Sequence, residues 1–321
     1  MIAITRNKYG GPEILLEKAL PKLQPGENEL LVKNYASTVN RTDCGILTGK
    51  PFIIRFFTGL FKPKKKITGT DFAGCIEATG KAVKNFKPGD RIMGFNDIGL
   101  CTHAEYITVN ADQPMVIIPE SSDYASAAAS MEGSHYAYNI LKHLNIPKGN
   151  KVLVNGATGA IGTSVVQFLK HFKMEITAVC NTKNVELVKR LGSNKVWNWE
   201  TEDFLNDTDR YHFIIDAVGK SRFKKCKHLL LPGGLYCSTE LGPNAENVFL
   251  PLITRIKGGK QVKFPVPTDC QRSLDFIKML IENNEFEAVI DRSYSPKDAR
   301  DAYKYVLTGS KTGNVILKFN T

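Results

Sequence analysis

The sequence predicts an α/β fold in two parts, one rich in β-strands and one built as a doubly wound parallel sheet. Residues 1 to about 125 contain alternating apolar and polar stretches separated by turn residues, which is typical of antiparallel strands. From residue 151 to about 270, short apolar strands alternate with helical segments, as a parallel sheet with crossover helices requires. A chain of 321 residues is long enough for two domains. We therefore expect a β-rich domain over 1–120 and 285–321 and a parallel-sheet domain over 121–284.

In the β-rich part, the strand predictions rest on alternation and on turns. The stretches ENELLVKNYAST (27–38) and DFAGCIEATGKAV (71–83) alternate, and the turn at 87–90 precedes a further strand, RIMGF. From Ser121 the sequence becomes Ala-rich and predicts helix. The final strand, NVILKF (314–319), is too far from the others for its partner to be predicted.

The stretch KVLVNGATGAIGTSVVQFLK (151–170) has the pattern of a strand, a glycine turn and a helix. In this pattern the first glycine permits a tight turn, the second lets the backbone approach a phosphate, and the third lets helix and strand pack closely. A plain strand-to-helix turn is the alternative, but a second strand, EITAVC (175–180), follows within one βαβ length and favours a dinucleotide site. The predicted cofactor-binding residues are Gly156, Ala157, Thr158, Gly159, Ala160, Ile161 and Gly162.

The end of the second strand indicates which dinucleotide is bound. A site that prefers NAD carries Asp or Glu there, to bind the ribose hydroxyls. In this sequence the place is taken by Cys180, followed by Asn181, Thr182 and Lys183. A carboxylate would repel a 2′-phosphate, whereas these residues can bind one, so the sequence favours NADPH. The alternative is that Lys183 only begins the next helix as a solvated residue.

Composition limits the classes of partner and the compartment. The formal net charge of +11 is compatible with nucleic acid, an anionic membrane surface or a polyanionic cofactor. The lysines are dispersed, however, and the only dense run, KPKKK (62–66), is of a kind that is most often a solvated loop. No apolar run is long enough to span a bilayer, so we expect no membrane partner and consider nucleic acid unfavoured. Seven scattered cysteines without a C-x-x-C pair indicate reduced thiols and a cytoplasmic protein.

These motifs and several others resemble a known family. The stretches VLVNGATGAIGTSVVQ, AVCNTKN, DAVG (216–219) and LLPGGLYCST resemble the nucleotide domain of the medium-chain dehydrogenase/reductase superfamily. Upstream, NYASTVNRTDCGILTGKP and GTDFAGCIEATGKAVKNFKPGDRIMGF resemble its GroES-like catalytic domain. The resemblance implies a GroES-like domain followed by a Rossmann domain. Within the superfamily the chain resembles the zinc-free quinone oxidoreductase branch, which implies NADPH, a homodimer and reduction of quinones or α,β-unsaturated carbonyls.

The zinc-free assignment follows from the residues that stand at the ligand positions. Zinc-dependent relatives use a Cys in the first catalytic stretch and a Gly-His-Glu in the second. Here the corresponding segments are 39–43 (VNRTD) and 69–71 (GTD). Cys44, Asp71 and His103 could supply ligands, but such unclustered positions seldom form a site, so we expect no metal. Without a Lewis acid, acceptors that take hydride readily are favoured over simple alcohols.

Reduction of a quinone or an enone by NADPH develops negative charge on an oxygen, which the protein must stabilise. Asn40 matches the Asn of the branch and is the first candidate, able to hold the nicotinamide end and to donate to the substrate. Thr42 lies on the same loop, whereas Asp43 is best interpreted as a cap of the following helix. In EGSHYAYNIL (132–141), His135 or Tyr136 could donate the proton, the alternative being a buried structural histidine.

Further residues follow from the resemblance. Val218 and Gly219 would contact the nicotinamide ribose side, and Asp216 before them is interpreted as structural. Lys311 is a possible second phosphate contact, with a solvated surface lysine as the alternative. The branch often has a Tyr after the Asn40 loop. Here either an aromatic residue of the stretch PFIIRFF lines the pocket or the acceptor is not flat. At this spacing aromatics are more often core, so we assign no site role to Phe52, Phe56 and Phe57.

The sequence therefore predicts a zinc-independent, NADPH-dependent oxidoreductase that transfers hydride to quinones or α,β-unsaturated carbonyls. A protein of another class is the main alternative: an NADPH-binding redox sensor, an interaction module or an RNA-binding protein with little catalysis. The net charge and the KPKKK run give that alternative some support. A zinc-free alcohol dehydrogenase is less favoured, because the zinc ligands are missing.

Overall fold

The structure, a computed structural model, describes residues 1–142, 144 and 148–319. Its strands are β1 (Ile2–Thr5), β2 (Leu16–Ala19), β3 (Glu29–Val39), β4 (Asp71–Thr79), β5 (Arg91–Phe95), β6 (Tyr106–Asn110), β7 (Met115–Ile117), β8 (Lys151–Asn155), β9 (Glu175–Cys180), β10 (Lys195–Asn198), β11 (Tyr211–Asp216), β12 (Leu230–Ser238), β13 (Gln261–Lys263), β14 (Ile290–Tyr294) and β15 (Asn314–Lys318). Its α-helices are α1 (Arg41–Thr48), α2 (Ile54–Thr58), α3 (Tyr124–Ala129), α4 (Glu132–Leu141), α5 (Ala160–His171), α6 (Val185–Leu191), α7 (Phe223–Cys226), α8 (Glu246–Lys257), α9 (Cys270–Glu282) and α10 (Ala299–Leu307).

The first of two compact units contains residues 1–132 and the described residues from 270 onward. Its main sheet has the order β14-β15-β3-β4-β5-β7, and β6 also pairs with β3. The long strand β3 is central because it pairs antiparallel with β4, β6 and β15. The final strand, whose partner the sequence could not predict, thus lies between β3 and β14. The β-rich prediction for this part is confirmed.

The second unit contains the described residues of 133–269. Its six strands are all parallel and lie in the order β10-β9-β8-β11-β12-β13. From β8 the chain winds outward through β9 to β10 and then returns to β11 on the other side of β8. The carboxyl ends of β8 and β11 therefore flank the topological switch point, where such sheets bind ligands. The predicted doubly wound sheet is confirmed.

The units change over at residues 132/133 and 269/270, whereas the sequence placed the boundaries after 120 and 284. Helix α9 explains the second difference, because it belongs to the β-rich unit. The Gln271 side chain accepts a hydrogen bond from the Met115 backbone N–H at 3.1 Å and donates one to the Met115 carbonyl at 3.2 Å. Such long-range contacts leave no mark on local sequence pattern.

The expectation that Phe52, Phe56 and Phe57 belong to a core is wrong. Their exposed fractions are 58%, 63% and 65%. Helix α2 has only five residues, and of these only Thr58 is buried. Among the described residues, no helix is both long enough and apolar enough to cross a membrane.

Candidate functional site

The three glycines after β8 differ in how much space surrounds each of them. Gly156 has φ +78°, a left-handed conformation that favours glycine, and a Cβ there would lie 2.1 Å from the Val218 side chain. A Cβ on Gly162 would lie 2.1 Å from the carbonyl oxygen of Gly156. At Gly159 the nearest atom is the same carbonyl oxygen, at 4.0 Å. Gly156 and Gly162 are thus required by packing, whereas Gly159 faces open space.

Helix α5 begins directly after this open glycine. Gly159 is its N-cap, and because glycine has no side chain it makes no capping hydrogen bond to the first turn. The first-turn N–H groups have no partners within the helix, and they carry the positive end of its dipole. Ala160, Ile161 and Gly162 supply these groups. An open glycine followed by uncapped N–H groups is an arrangement that fits a phosphate.

Asp216, at the end of β11, holds the neighbouring loop in place. Its carboxylate accepts hydrogen bonds from the backbone N–H groups of Val218 at 3.3 Å and Gly219 at 3.0 Å. It also accepts one from the Asn155 side chain at 3.1 Å, which ties β8 to β11. Asp216 is therefore structural, as the sequence indicated. Val218 packs against Gly156, and a ribose contact through the two bonded N–H groups would compete with Asp216.

The loop after β9 is bonded to a carboxylate that the sequence reasoning missed, Glu200, which lies two residues after the end of β10. Glu200 accepts hydrogen bonds from the backbone N–H of Thr182 at 3.0 Å and from its hydroxyl at 2.6 Å. These bonds lower the pKa of Glu200. Lys183 is exposed beside this pair, and its charge lowers the same pKa further. The contact results from strand register, because Asn198 of β10 pairs with Cys180 of β9 and the residues after both strands then meet. Asn181 lies beside them and accepts a hydrogen bond from the Asn184 side chain.

A cavity of about 350 Å³ opens beside the last paired residues of β12 and β13. Cys237 and Lys263, which pair in the sheet, both line it, together with Ile140 and Thr268. It lies on the β11 side of β8, opposite to the β9 side on which Glu200 is found. This cavity could not be predicted from the sequence, because its lining comes from three separate segments.

Helix α4 carries His135 and Tyr136 and is joined to that cavity through Asn139. The Asn139 side chain donates to the His135 carbonyl and accepts from the Thr268 backbone N–H, both at 2.8 Å. His135 is buried, which lowers its pKa to about 4, so its imidazole is neutral at neutral pH. Tyr136 is half-buried, with its ring edge-on to His135. Whether either of them donates a proton stays a prediction.

In the first unit, Asn40 is a buried cap of α1. Its side-chain oxygen accepts from the Asp43 N–H at 2.7 Å, and its amide donates to Thr38 at 3.1 Å and Thr70 at 2.9 Å. Asp43 completes a capping box by accepting from the Asn40 N–H. The interpretation of Asp43 as a cap is thus confirmed. Both amide hydrogens of Asn40 are engaged, so donation to a substrate would require it to give up one of these bonds.

Thr42 takes part in a second polar contact of the same unit. Its hydroxyl donates to the Glu132 carboxylate at 2.9 Å. Burial raises the pKa of Glu132 to about 7, although the positive charge of Lys311 and the Thr42 bond oppose the rise. Lys311 is half-buried, its ammonium donates to the Gly313 carbonyl, and burial lowers its pKa. Sequence reasoning named Thr42 and Lys311 separately and missed Glu132. Its carboxylate accepts the Thr42 hydrogen bond, and its pKa is lowered by the charge of Lys311.

The positions that hold zinc in the zinc-dependent relatives are joined here by direct hydrogen bonds. Asn40 bonds Thr70, and Asp71 accepts from the Thr38 backbone N–H at 2.6 Å. His103 is buried and approaches Asp43 at 3.9 Å, and burial lowers its pKa to about 4. Within the described part of the chain, no group of three or more His, Cys, Asp or Glu side chains could hold a metal ion.

Comparison with known proteins agrees with this architecture. The family "Alcohol dehydrogenase GroES-like domain" matches residues 26–131, and the family "Zinc-binding dehydrogenase" matches residues 191–317. The chain is a member of the medium-chain dehydrogenase/reductase superfamily. Within that superfamily it belongs to the quinone oxidoreductase-like branch, as the sequence resemblance predicted, because relatives that match along nearly the whole chain are named quinone oxidoreductases.

Individual relatives span nearly the whole chain. The chloroplast envelope quinone oxidoreductase homolog of Arabidopsis thaliana is 28% identical over 99% of this chain and 98% of its own length. The chloroplastic NADPH-dependent alkenal/one oxidoreductase of the same plant is 25% identical over 99% of this chain and 79% of its own length. The structure of the Escherichia coli quinone oxidoreductase complexed with NADPH superposes with a TM-score of 0.82, at 23% identity over 99% of this chain and 100% of that one.

Proposed function

We propose that this oxidoreductase binds NADPH in the second unit and reduces quinones or α,β-unsaturated carbonyls. The observation that carries the proposal is the open Gly159 beside the uncapped first turn of α5, at the switch point of the sheet. The names of the relatives support it, since they include a quinone oxidoreductase seen with NADPH and an NADPH-dependent alkenal/one oxidoreductase.

Strand order gives the proposed direction of the cofactor. With the pyrophosphate at α5, the adenosine end would lie toward β9 and β10, where Asn181, Thr182 and Lys183 follow the strand. The nicotinamide end would extend the other way, past Val218 and Gly219 toward the cavity at β12 and β13. Lys183 and the Thr182 hydroxyl favour the 2′-phosphate of NADPH, and Glu200 opposes it.

The bound cofactor supplies the hydride, and the protein must then supply one proton to the oxyanion that hydride transfer leaves on the acceptor. We propose Thr42, backed by Glu132, as the source of that proton. A carboxyl with a pKa of about 7 is partly protonated at neutral pH and can return a proton to the Thr42 hydroxyl. Asn40 in this proposal orients the loop through its capping bonds, and His135 acts only as a neutral group.

Turnover tests the function directly. NADPH consumption should occur with a simple quinone or a simple enal, and Thr42→Val should lower it while leaving NADPH affinity unchanged. Tight binding without consumption by any such acceptor would instead favour a redox sensor or interaction protein. A protein that oxidises simple alcohols but reduces neither acceptor would favour the alcohol dehydrogenase alternative.

A homodimer is the proposed assembly, and one surface of the second unit supports it. Strand β13 is at the edge of the sheet, where its Val262 N–H donates to the Thr254 hydroxyl of α8 at 3.1 Å. Helix α8 packs against β13 and exposes Phe249, Leu252 and Ile256 on one face, at 63%, 67% and 78%. A second copy would bury this apolar face about a two-fold axis. Light scattering should give twice the chain mass, and Leu252→Asp should halve it; a monomeric wild type would contradict the proposal. A cytoplasmic location stays a prediction.

A further inference from the structure

A surface of the first unit combines apolar and basic residues in one short stretch, 52–66, which we call the apolar–basic segment. Its large apolar side chains point away from the protein rather than into a core, and its lysines follow immediately. An exposed apolar set of this size on a folded protein marks a contact site. The exposed apolar residues are Phe52 (58%), Ile53 (61%), Phe56 (63%), Phe57 (65%), Leu60 (40%) and Phe61 (89%).

The segment is fixed from beneath by polar contacts, so its exposure is part of the fold. Tyr9 is the anchor: its hydroxyl lies 2.8 Å from the Thr58 hydroxyl and donates to the Gly59 carbonyl at 2.6 Å. The Arg55 guanidinium stacks over the Tyr9 ring at 4.6 Å. The Lys64 N–H closes the loop on the Thr58 carbonyl at 2.8 Å. The inward side is thus polar and satisfied, and the apolar side chains are left on the outer side.

The segment and the sequence on either side of it carry charge of one sign. Between Asp43 and Asp71 the sequence contains six basic residues and no acidic residue. Lys62, Lys64 and Lys66 are exposed within the segment itself. A partner for this surface must accept apolar side chains and carry negative charge.

We propose that the apolar–basic segment docks on the surface of an anionic lipid bilayer. This differs from the expectation of no membrane partner, which rested on the lack of an apolar run long enough to span a bilayer; docking on the surface needs no such run. Phenylalanine, leucine and isoleucine enter the boundary between head groups and acyl chains, while neighbouring lysines contact acidic head groups. A second copy of the chain is a poorer occupant, because a two-fold contact would oppose two basic surfaces. RNA could stack on the phenylalanines, but Ile53 and Leu60 offer no ring to a base. The inference goes beyond the proposed reaction and does not depend on it.

Sedimentation with lipid vesicles tests the inference. The full-length protein should sediment with vesicles of phosphatidylcholine mixed with phosphatidylglycerol, and much less with phosphatidylcholine alone. Raised salt should weaken the binding, because exposed charges are screened. The double variant Lys62→Glu/Lys64→Glu should lower the partition coefficient by at least about 25-fold, since each lysine near an anionic surface contributes about fivefold. The triple variant Phe56→Ser/Phe57→Ser/Phe61→Ser should abolish sedimentation.

Matched controls separate this surface from a general effect. Lys224→Glu/Lys225→Glu makes the same change of net charge on exposed residues of the second unit and should leave vesicle binding unchanged. Leu307→Ser removes an apolar residue that is 46% exposed elsewhere in the first unit and should also have no effect. A wild type that ignores mixed vesicles overturns the inference, as does a triple variant that folds and still binds. Loss of RNA binding or of self-association in the triple variant, with vesicle binding unchanged, would assign the surface to those partners instead.

Discussion

Gly159→Ala and Gly162→Ala should separate cofactor binding from folding, because the two glycines lie three residues apart in very different surroundings. At Gly162 an added Cβ would lie 2.1 Å from the Gly156 carbonyl oxygen and within 2.9 Å of the Ala157 backbone. Such overpacking costs about 1–3 kcal/mol, which lowers Tm by about 2–12 °C in a protein of this size. At Gly159, with φ −75°, the new methyl would meet only the same oxygen, at 4.0 Å.

Gly159→Ala should therefore leave Tm within about 2 °C of wild type. Its methyl group, however, would occupy the open space into which the pyrophosphate must come. We expect NADPH affinity to fall at least about tenfold, equivalent to about 1.4 kcal/mol. The assay is a titration with NADPH, followed by the fluorescence of the two tryptophans, alongside thermal denaturation of both variants. A Gly159→Ala protein that binds NADPH as tightly as wild type would refute the proposal that the pyrophosphate lies at Gly159 and the first turn of α5.

Three further predictions concern the cofactor's 2′-phosphate, the Glu132 carboxyl and the α1 cap. Glu200→Gln should tighten NADPH binding severalfold relative to NADH, and Lys183→Glu should weaken it relative to NADH. The reason is that an exposed charge beside the 2′-phosphate acts on NADPH alone. Titration of each variant with both cofactors measures the effect. The pKa of Glu132 is raised from 4.5 to about 7, so this carboxyl contributes stability that is complete below pH 4.5 and is lost as the pH rises through 7. The loss amounts to about 3 kcal/mol in the free energy of unfolding. Glu132→Gln should remove this loss, which can be checked by measuring Tm across that pH range. Asn40→Ala should destabilise the protein by about 1–3 kcal/mol in denaturant unfolding, because it removes the α1 cap and two donated bonds.

Each of these has an outcome that contradicts it. Equal changes in NADPH and NADH affinity would place Glu200 and Lys183 away from the 2′-phosphate. A Glu132→Gln protein whose Tm changes with pH as steeply as wild type would mean that another group titrates. Wild-type stability in Asn40→Ala would show that the cap contributes little. Lys189→Glu is a charge control for the cofactor titrations, since this exposed lysine already pairs with Glu186 one turn away.

The glycine loop could be predicted from sequence because its requirements are local. A buried strand, three spaced glycines and a helix are contiguous, and the positive φ of Gly156 and the close packing of Gly162 are what that pattern demands. The same holds for Asp43, because an acidic residue three positions after an Asn at the start of a helix predicts a capping box.

Residues that meet through register or tertiary contact could not be predicted in this way. Glu200 reaches Thr182 because β10 pairs with β9, and strand pairing is not written in either strand alone. Glu132 meets Thr42 across 90 residues of sequence. The phenylalanines of the apolar–basic segment show the opposite limit: spacing indicates that residues share a face but not whether that face is covered.

The most direct measurement is NADPH consumption by the purified protein with a simple quinone and a simple enal in parallel, and with NADH as the control cofactor. We predict that NADPH is oxidised by at least one acceptor, that NADH is used less well, and that Gly159→Ala slows the reaction by weakening NADPH binding. NADPH that binds tightly but is left intact by both acceptors would contradict a reductase.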